Sequence, residues 1–369
     1  MISPILPAGC VERCRGCKHR LLTRADSLAQ KQTFLATQLS DWCNVLEPVR
    51  SVADDARWHY RTRTTMSAAL GPSGWQLGMW SRDELIPIPQ CPVHTHRVNA
   101  ALKAVAAHTP ANSATALAYV VVSGNQVVLV LKTKQKPQNW DITPLTSVLQ
   151  QHGFEGLWLH LNPSAGKRLF EKCGWQLLWG QPRSADFNGL LYGPAAFQQL
   201  LAMLYNQSLH EAERFLSPDE HTAVADLYCG NGNSMRRWAQ CGARVLGVEV
   251  GGDAVECARL NVPQAEVLRG ACRLRLPQIA AWCQAQAEQE FTLAMYVNPP
   301  RTGIEVEVLE WLCKHRLPKR IGYLSCSPGT LAKNLMALTA NGYAVHRLVP
   351  FDFFPQTHHV ECLALLERE

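Results

Sequence analysis

The sequence predicts an α/β protein whose C-terminal half is a Rossmann-like domain with a doubly wound, mostly parallel sheet. From about residue 189 onward, short apolar runs alternate with stretches suited to helices, which is typical of such a sheet. A glycine-containing loop directly follows the first of these runs, as in many nucleotide-binding sheets. The 369 residues and the 47% hydrophobic content allow two or three domains with buried cores.

The N-terminal half predicts a smaller α+β region. An amphipathic helix is expected over residues 26–42, with Leu28, Phe34, Leu35 and Leu39 near one face. The run LAYVVVSGNQVVLVLKT predicts a hairpin, because two β-branched stretches flank a Ser-Gly-Asn turn. The other elements expected here are strands over 58–70, 75–88, 157–161 and 175–178, and a helix over 95–107.

In the C-terminal half, a helix is expected from Ala195 to Leu204, extending with breaks to about Phe215. Strands are expected over residues 223–227, 244–249, 265–268, 293–297, 320–324, 344–349 and 361–366. We therefore expect three segments: a cysteine-rich N-terminal segment with a helix (1–55), a central α+β domain (56–188) and the Rossmann-like domain (189–369).

Composition limits the classes of function. The net charge of +6 is a mild basic excess that suits a polyanionic partner. No run of about 20 apolar residues is present, so we expect no membrane span. Fourteen cysteines in a long chain without a signal-like start predict reduced thiols, a metal site or a catalytic thiol, with most thiols acting as small buried hydrophobes. We expect a cytoplasmic protein that is a monomer.

The stretch ADLYCGNGN, residues 225–233, predicts a nucleoside site. Gly230 and Gly232 allow a tight turn and close approach of a ligand. Glu249 ends the next strand, where a carboxylate can accept hydrogen bonds from ribose hydroxyls. The third glycine of the dinucleotide fingerprint is missing, so S-adenosylmethionine suits this loop better than a dinucleotide.

The stretch YVNPPRTG, residues 296–303, ends the following strand. Asn298 and the two prolines form a rigid exit from the sheet that could hold a planar base or a cofactor amine. Enzymes that methylate exocyclic amines carry an aromatic residue after a similar stretch. Arg301 occupies that position here, which counts against amine methylation.

Cys326 lies in YLSCSPGT, where a buried strand turns outward at the same edge of the sheet. Carbon 5 of a pyrimidine is a poor nucleophile. A thiolate that adds to carbon 6 makes carbon 5 reactive toward a methyl sulfonium, and a base must then remove the carbon 5 proton. Glu361, in FDFFPQTHHVECLALLE, is the candidate base.

Together these residues resemble the RNA 5-methyluridine methyltransferases, which methylate uracil carbon 5 in transfer or ribosomal RNA. The family's S-C-N-P motif is similar to residues 325–328, which implies Cys326 as the nucleophile. Its H-x-E motif is similar to residues 359–361, which implies Glu361 as the general base. The Asn form of its D/N-P-P-R motif, at Asn298, resembles the ribosomal RNA branch, most closely the 23S enzymes.

The resemblance also implies a cofactor site for S-adenosylmethionine, formed by Gln198, Tyr228, Gly230, Asn233, Glu249 and Asn298. Two departures from the family pattern are visible. The F-F-Q-x-N motif is present only in part, because Leu200 stands where Asn is usual. Ser327 replaces the Asn that usually follows the nucleophile.

Four cysteines resemble the ligands of an iron–sulfur cluster in several family members: Cys10, Cys14, Cys17 and Cys91. Thiolates in this number suit a [4Fe–4S] cluster or zinc, and unrelated thiols are the third interpretation. The C-x3-C-x2-C spacing also matches radical S-adenosylmethionine enzymes, but residues 58–180 lack the alternation of their barrel. Only nine residues precede the first cysteine, so we expect no RNA-binding β-barrel before it.

The stretch ARWHYRTRTTM interleaves arginines with aromatic residues, which suits unpaired RNA as partner. An ordinary exposed edge strand is the alternative interpretation. The cations expected to contact RNA are Arg57, Arg61, Arg63 and Arg301. The target uracil would leave its stack to reach Cys326.

The sequence thus predicts methylation of uracil C5 in RNA, with 23S ribosomal RNA as the expected substrate. A transfer RNA enzyme of the same type is one alternative. An RNA cytosine-C5 enzyme is another, although Arg301 stands where such enzymes carry a second cysteine. A non-catalytic RNA-binding or folding factor is the third.

Overall fold

The computed structural model describes residues 6–315 and 317–369. Its contacts divide the chain into two compact units. The first unit comprises the described residues up to Leu21 together with Ala53–Leu200. The second comprises Leu22–Val52 and Leu201–Glu369, so the chain crosses between the units three times. In the described part of the chain, no helix combines the length and apolar character needed to cross a membrane.

The helices in chain order are α1 (Arg24–Gln38), α2 (His96–His108), α3 (Thr143–Gln151), α4 (Ala202–Leu216), α5 (Asn233–Gln240), α6 (Gly252–Asn261), α7 (Cys272–Glu288), α8 (Val306–His315) and α9 (Pro328–Thr339). The strands are β1 (Arg63–Gly71), β2 (Gly74–Ser81), β3 (Glu84–Pro87), β4 (Leu117–Ser123), β5 (Gln126–Leu131), β6 (Gly156–Leu161), β7 (Trp175–Gly180), β8 (Ser184–Ala185), β9 (Leu191–Tyr192), β10 (Thr222–Leu227), β11 (Arg244–Glu249), β12 (Glu266–Arg269), β13 (Thr292–Val297), β14 (Arg320–Ser325), β15 (Tyr343–Phe351) and β16 (Glu361–Arg368).

The first unit is built on a seven-stranded sheet in the order β3-β2-β1-β4-β5-β6-β7. Only β5 and β6 are parallel, joined through α3. The expected hairpin is present as β4 and β5, and Gly124 in its turn has φ +57°, a conformation that glycine adopts without strain. Nearly every side chain of β5 is fully buried, which explains its β-branched composition.

The second unit is built on a seven-stranded sheet in the order β12-β11-β10-β13-β14-β16-β15. Strands β10 to β14 are parallel, and β16 lies antiparallel between β14 and β15. The strand order reverses between β10 and β13, and ligands of such sheets bind at that crevice, beyond the carboxyl ends of the strands. The predicted α/β Rossmann-like fold is confirmed.

Two helices differ from the sequence prediction. Helix α1 ends at Gln38 rather than near residue 42, because the chain tightens into a 3-10 turn. Its buried stripe contains Lys31 and Leu35, whereas Phe34 is exposed. Helix α4 begins at Ala202, not Ala195. The preceding segment instead satisfies its backbone outside a helix, for example where the Ala196 carbonyl accepts from Ser123.

Two strands of the first unit also differ. The strand expected over 58–70 begins at Arg63, and the residues before it form only an isolated bridge between Arg61 and His94. The strand expected over 75–88 is a hairpin of β2 and β3. Arg82 in its turn has φ +55°, which reverses the chain there.

Candidate active site

The loop after β10 is shaped as a ligand cradle. Tyr228 has φ +63°, an unusual backbone conformation for a side chain of this size and one found often at functional sites. Gly230 has φ +58°, and a Cβ added there would meet no atom within 4 Å. The backbone at Gly230 therefore borders open space.

Glu249 is fixed at the end of β11 beside that loop. Its two carboxylate oxygens accept from the backbone N–H of Gly230 at 3.1 Å and of Gly251 at 2.7 Å. Hydrogen bonds to both oxygens hold the carboxylate in one orientation. Asn233 begins α5, directly after Gly232, whose φ of +86° turns the chain into that helix.

Glu305 is a site residue that the sequence analysis did not identify. Its backbone N–H donates to the Tyr228 hydroxyl at 3.2 Å, and its side chain accepts from the Arg273 backbone N–H at 3.1 Å. It also pairs with the Arg273 side chain at 3.4 Å. These contacts fasten Tyr228 to the segments that follow β12 and β13. No motif marks Glu305, because its role arises only from folding.

Asn298 follows β13 on the other side of the crevice. The hydroxyl of the buried Tyr205, on α4, lies within hydrogen-bonding reach of the Asn298 side chain. Burial raises the pKa of Tyr205 far above its ordinary value. Tyr205 thus remains a neutral partner that positions Asn298, and it too was missed from the sequence.

Cys326 and Glu361 meet at the ends of two adjacent strands. The antiparallel ladder of β14 and β16 ends at the pair Ser325–Cys362. Cys326 directly follows one member of that pair and Glu361 directly precedes the other, and the two side chains interact electrostatically. Cys326 is half-buried, and Glu361 is about 5% exposed. Arg301, from the loop after β13, acts electrostatically on both side chains.

Burial dominates the electrostatics of this pair. It raises the pKa of the Glu361 carboxyl to about 7, against a partial lowering by Arg301. Burial also raises the pKa of the Cys326 thiol, the nearby Glu361 adds to that effect, and Arg301 opposes it. Burial therefore disfavours the charged form of both groups, and the Arg301 cation partly offsets that effect for each.

The turn after Cys326 is tied to the loop that carries Arg301. Thr330 donates from its hydroxyl to the Arg301 carbonyl at 3.1 Å, and Ser327 hydrogen-bonds the same hydroxyl at 2.9 Å. Ser327 precedes α9, which has proline at its first position. Hydrogen bonds through Thr330 therefore connect the turn after Cys326 and the start of α9 to the backbone of Arg301.

Gln198 belongs to the first unit. It hydrogen-bonds the hydroxyl of Tyr192, which in turn accepts from the Asn125 backbone at 2.8 Å. Its Nε2 is buried and has no hydrogen-bond partner, so this amide retains a donor for a further group. Its predicted contact with the cofactor stays a prediction.

The arginines predicted to bind RNA occupy different environments. Arg57 is buried and pairs with Asp54 at 3.2 Å. Arg63 is half-buried, lies 5.7 Å from the ring centre of Phe197, and has its pKa lowered by burial. Arg61 is half-buried near Cys17, whereas Arg301 is exposed. Their contact with RNA stays a prediction.

Four cysteines of the first unit line one cavity: Cys10, Cys14, Cys17 and Cys91. Burial and the neighbouring Cys91 raise the pKa of the Cys17 thiol to about 11. Burial also raises the pKa of Cys10, with Cys14 and Cys91 adding to the effect. Among the described residues, no set of three or more histidine, cysteine, aspartate or glutamate side chains is arranged at metal-binding geometry.

Comparison with known proteins adds sequence and fold relationships. A family model described as tRNA (Uracil-5-)-methyltransferase matches residues 192–369. The "23S rRNA (uracil(1939)-C(5))-methyltransferase RlmD" of Pseudomonas fluorescens is 30% identical, over 98% of this chain and 80% of that protein. The protein of the same name from Pseudomonas syringae pv. tomato is 28% identical, over 96% and 78%.

The fold is also similar to a solved structure, the Pyrococcus abyssi tRNA (uracil-54, C5)-methyltransferase in complex with S-adenosyl-L-homocysteine. The match has a TM-score of 0.68 and covers 95% of this chain and 86% of that one. At 21% identity, this similarity concerns the fold alone.

Proposed function

Because this chain belongs to the RNA uracil-C5 methyltransferase family, we propose that it methylates a uracil of 23S ribosomal RNA through Cys326 and Glu361. The family assignment establishes S-adenosylmethionine-dependent methylation of uracil C5 in RNA. The ribosomal substrate is the proposal, supported by the names of the similar proteins and by Asn298 in the N-P-P-R motif. The proposal implies a cytoplasmic enzyme.

The single observation that supports the mechanism is the pairing of β14 with β16, whose last pair, Ser325–Cys362, is flanked by Cys326 and Glu361. In the first step the Cys326 thiolate adds to carbon 6 of the uracil, and the electron pair moves to carbon 5 and oxygen 4. Arg301 favours this step, since its charge stabilises the thiolate.

The cradle around Gly230 and Glu249 fits the predicted cofactor, because it combines open space with an oriented carboxylate for ribose hydroxyls. S-adenosylmethionine supplies an electrophilic methyl group there when bound. Tyr228, Asn233 and Asn298 border the same edge of the sheet and are proposed to position it. We assign Gln198 a supporting contact through its free amide donor.

Glu361 completes the reaction in this proposal. After carbon 5 has gained the methyl group, the Glu361 carboxylate removes its remaining proton. The electron pair left behind re-forms the carbon 5–carbon 6 double bond and expels the Cys326 thiolate. Burial suits this role, because a carboxyl group with a pKa of about 7 is a stronger base than an exposed glutamate.

Two substitutions test the mechanism. Glu361→Gln allows addition and methylation but prevents proton removal, so we expect a covalent RNA–protein adduct that survives denaturing electrophoresis. Cys326→Ala cannot add to carbon 6, so methyl transfer falls by about 10³-fold or more and no adduct forms. The assay uses labelled S-adenosylmethionine with unmodified 23S ribosomal and transfer RNA transcripts in parallel.

Matched controls are Glu367→Gln, on the same strand, and Cys43→Ala, an exposed thiol. Both are expected to turn over normally. Methyl transfer that persists in Cys326→Ala would refute the nucleophile. Preference for transfer RNA would refute the ribosomal substrate and leave the mechanism standing.

We also propose that the four clustered cysteines hold a [4Fe–4S] cluster. The donor set suits such a cluster chemically, because four thiols line one cavity. The pKa values of the Cys10 and Cys17 thiols are raised by burial and by neighbouring cysteines, and a cationic centre would relieve that repulsion. Cys10, Cys14 and Cys17 lie within eight residues, and Cys91 brings in the loop before α2. Zinc is the alternative occupant.

Metal analysis of anaerobically purified protein tests this assignment. We expect about four iron and four sulfide per chain with broad visible absorbance, as the cluster formula requires. Cys91→Ser is expected to lose both, whereas Cys173→Ser, at an exposed thiol of the same unit, retains them. Zinc without sulfide would refute the cluster.

A further inference from the structure

Two loops of the first unit meet at one edge of its sheet. Strands β5 and β6 are parallel, and their last residues, Leu131 and Leu161, are partners in register. The loops that leave them, residues 132–142 and 162–173, therefore start side by side. Neither loop contributes to the predicted methyltransferase chemistry, and neither contains any of the family's motifs.

These loops concentrate positive charge. Together they carry six lysine or arginine residues and only two carboxylates. We call the six cations the basic edge: Lys132, Lys134, Lys136, Lys167, Arg168 and Lys172. All six are exposed. In the part of the chain that the structure describes, none of them forms an ion pair.

The two carboxylates do not neutralise this surface. Asp141 is held at the far end of its loop, where it accepts from the Thr143 backbone N–H at 2.9 Å. Glu171 is only half-exposed, and its backbone is bound on both sides: its N–H donates to His160 at 3.0 Å, and its carbonyl accepts from Trp175 at 2.9 Å. Among the described residues, neither carboxylate forms an ion pair with the six cations, so these loops keep an excess of positive charge.

Hydrogen bonds and ring packing within the first unit hold the second loop, residues 162–173, in place. The fully buried Asn162 donates to the Arg168 carbonyl at 2.8 Å and accepts from the Ser164 backbone at 2.9 Å. Phe170 packs against Trp175 with ring centres 4.9 Å apart. Since these contacts fix the backbone, Lys167 and Arg168 are presented without the entropy cost of ordering a free loop.

From this arrangement we propose that the basic edge binds the sugar–phosphate backbone of the RNA substrate. The inference rests on the proposed function, because it assigns that reaction's RNA a docking surface. Exposed cations without ion-pair partners, on two loops that start side by side, match the regular negative charge of an RNA backbone. Backbone contacts fix the position of the RNA, and base selection stays with the active site.

The experiment measures binding of a fluorescently labelled, unmodified 23S ribosomal RNA transcript as a function of salt. One variant replaces Lys132, Lys134 and Lys136 with alanine, and a second replaces Lys167, Arg168 and Lys172. Each released phosphate contact contributes about 0.7 to 0.9 to the slope of log K against log salt. We therefore expect each triple variant to reduce that slope by about 2 and to weaken binding about tenfold or more at low salt.

A control variant replaces three exposed lysines outside these loops, Lys103, Lys314 and Lys319. Circular dichroism verifies that all variants fold. An unchanged slope in both basic-edge variants, or an equal loss in the control, would overturn the proposal. Binding is measured without cofactor, so its outcome is independent of turnover. If wild-type protein binds the transcript through the basic edge but methylates no RNA, the docking surface stands and the proposed reaction falls.

Discussion

At the scale of single residues, the burial of Glu361 sets the pKa of the group that is proposed to release the product. Its pKa of about 7 arises from burial, and Arg301 limits the increase. In the proposed reaction only the deprotonated carboxylate removes the carbon 5 proton. The fraction of active base therefore rises with pH up to about the pKa and is constant above it.

We accordingly predict a pH dependence for release of the covalent adduct. The rate should rise about tenfold per pH unit below pH 7 and reach a plateau above it. Single-turnover measurement of adduct decay, started by a pH jump after adduct formation, gives this rate directly. A decay rate that is independent of pH between 5 and 8 would mean that Glu361 is not the base.

Cys326 shows what residue-level sequence reasoning can and cannot find. The chemistry of a thiol at a strand end, and of a carboxylate elsewhere in the chain, was accessible from the sequence. The strand pairing that brings Cys326 near Glu361 was not, because it depends on β16 entering the sheet between β14 and β15. Tyr205 and Glu305 were missed for a related reason, since a supporting hydrogen bond leaves no pattern in the sequence.

At the scale of elements, α1 braces the segment that leads to the candidate base. Lys31, fully buried, donates to the carboxylate of Asp352 and to the Phe354 carbonyl. Ser51 donates to the other carboxylate oxygen of Asp352 at 2.9 Å. These contacts fix the chain between β15 and β16, and they explain why a helix stripe that looks polar in sequence is buried.

Comparison of a single with a double variant tests the ion pair between Lys31 and Asp352. Lys31→Met alone leaves a buried carboxylate unpaired, so we expect a loss of about 3–5 kcal/mol in the free energy of unfolding. The double variant Lys31→Met/Asp352→Asn leaves no buried charge and should lose clearly less. Urea denaturation of both, with exposed Lys333→Met as control, measures the difference. Equal losses in the single and double variants would contradict a coupled pair.

The bounds of some strands and helices could be predicted from the sequence, and those of others could not. Parallel strands such as β11 were placed correctly from their apolar runs, because strands covered by helices on both faces must be apolar throughout. The predicted start of α4 was wrong: residues 195–201 have helical composition, yet the Ala196 carbonyl accepts from the Ser123 hydroxyl at the end of β4. Tertiary hydrogen bonds outweighed local propensity there.

At the scale of the whole molecule, the chain leaves and re-enters each unit, which composition cannot reveal. The sequence grouped residues 1–55 as one segment. In the structure, the described residues up to Leu21 belong to the first unit and Leu22–Val52 to the second. The sequence did not separate these two stretches because neither forms a core by itself. The described residues up to Leu21 pack against the core of the first unit, and residues 22–52 pack into the core of the second.

This division predicts how the protein responds to loss of the proposed cluster. Without it, the described residues up to Leu21 keep few anchors, so we expect trypsin to cut first near Arg13, Arg15 and Lys18. The second unit has its own sheet and core and should stay intact. Limited proteolysis with mass spectrometry, before and after iron chelation, gives the order of cuts. Early cleavage within residues 201–369 would contradict this expectation.

The insertion of β16 between β14 and β15 also fixes when the enzyme becomes competent during its own synthesis. Residues 320–325 leave the ribosome well before residues 361–368, so the thiol exists for a time without its carboxylate neighbour. In the described sheet, strands β14 and β15 are joined only through β16, so the sheet edge that carries the thiol and the carboxylate is complete only when this last strand is in place. Assembly of the catalytic pair is therefore a late event in folding.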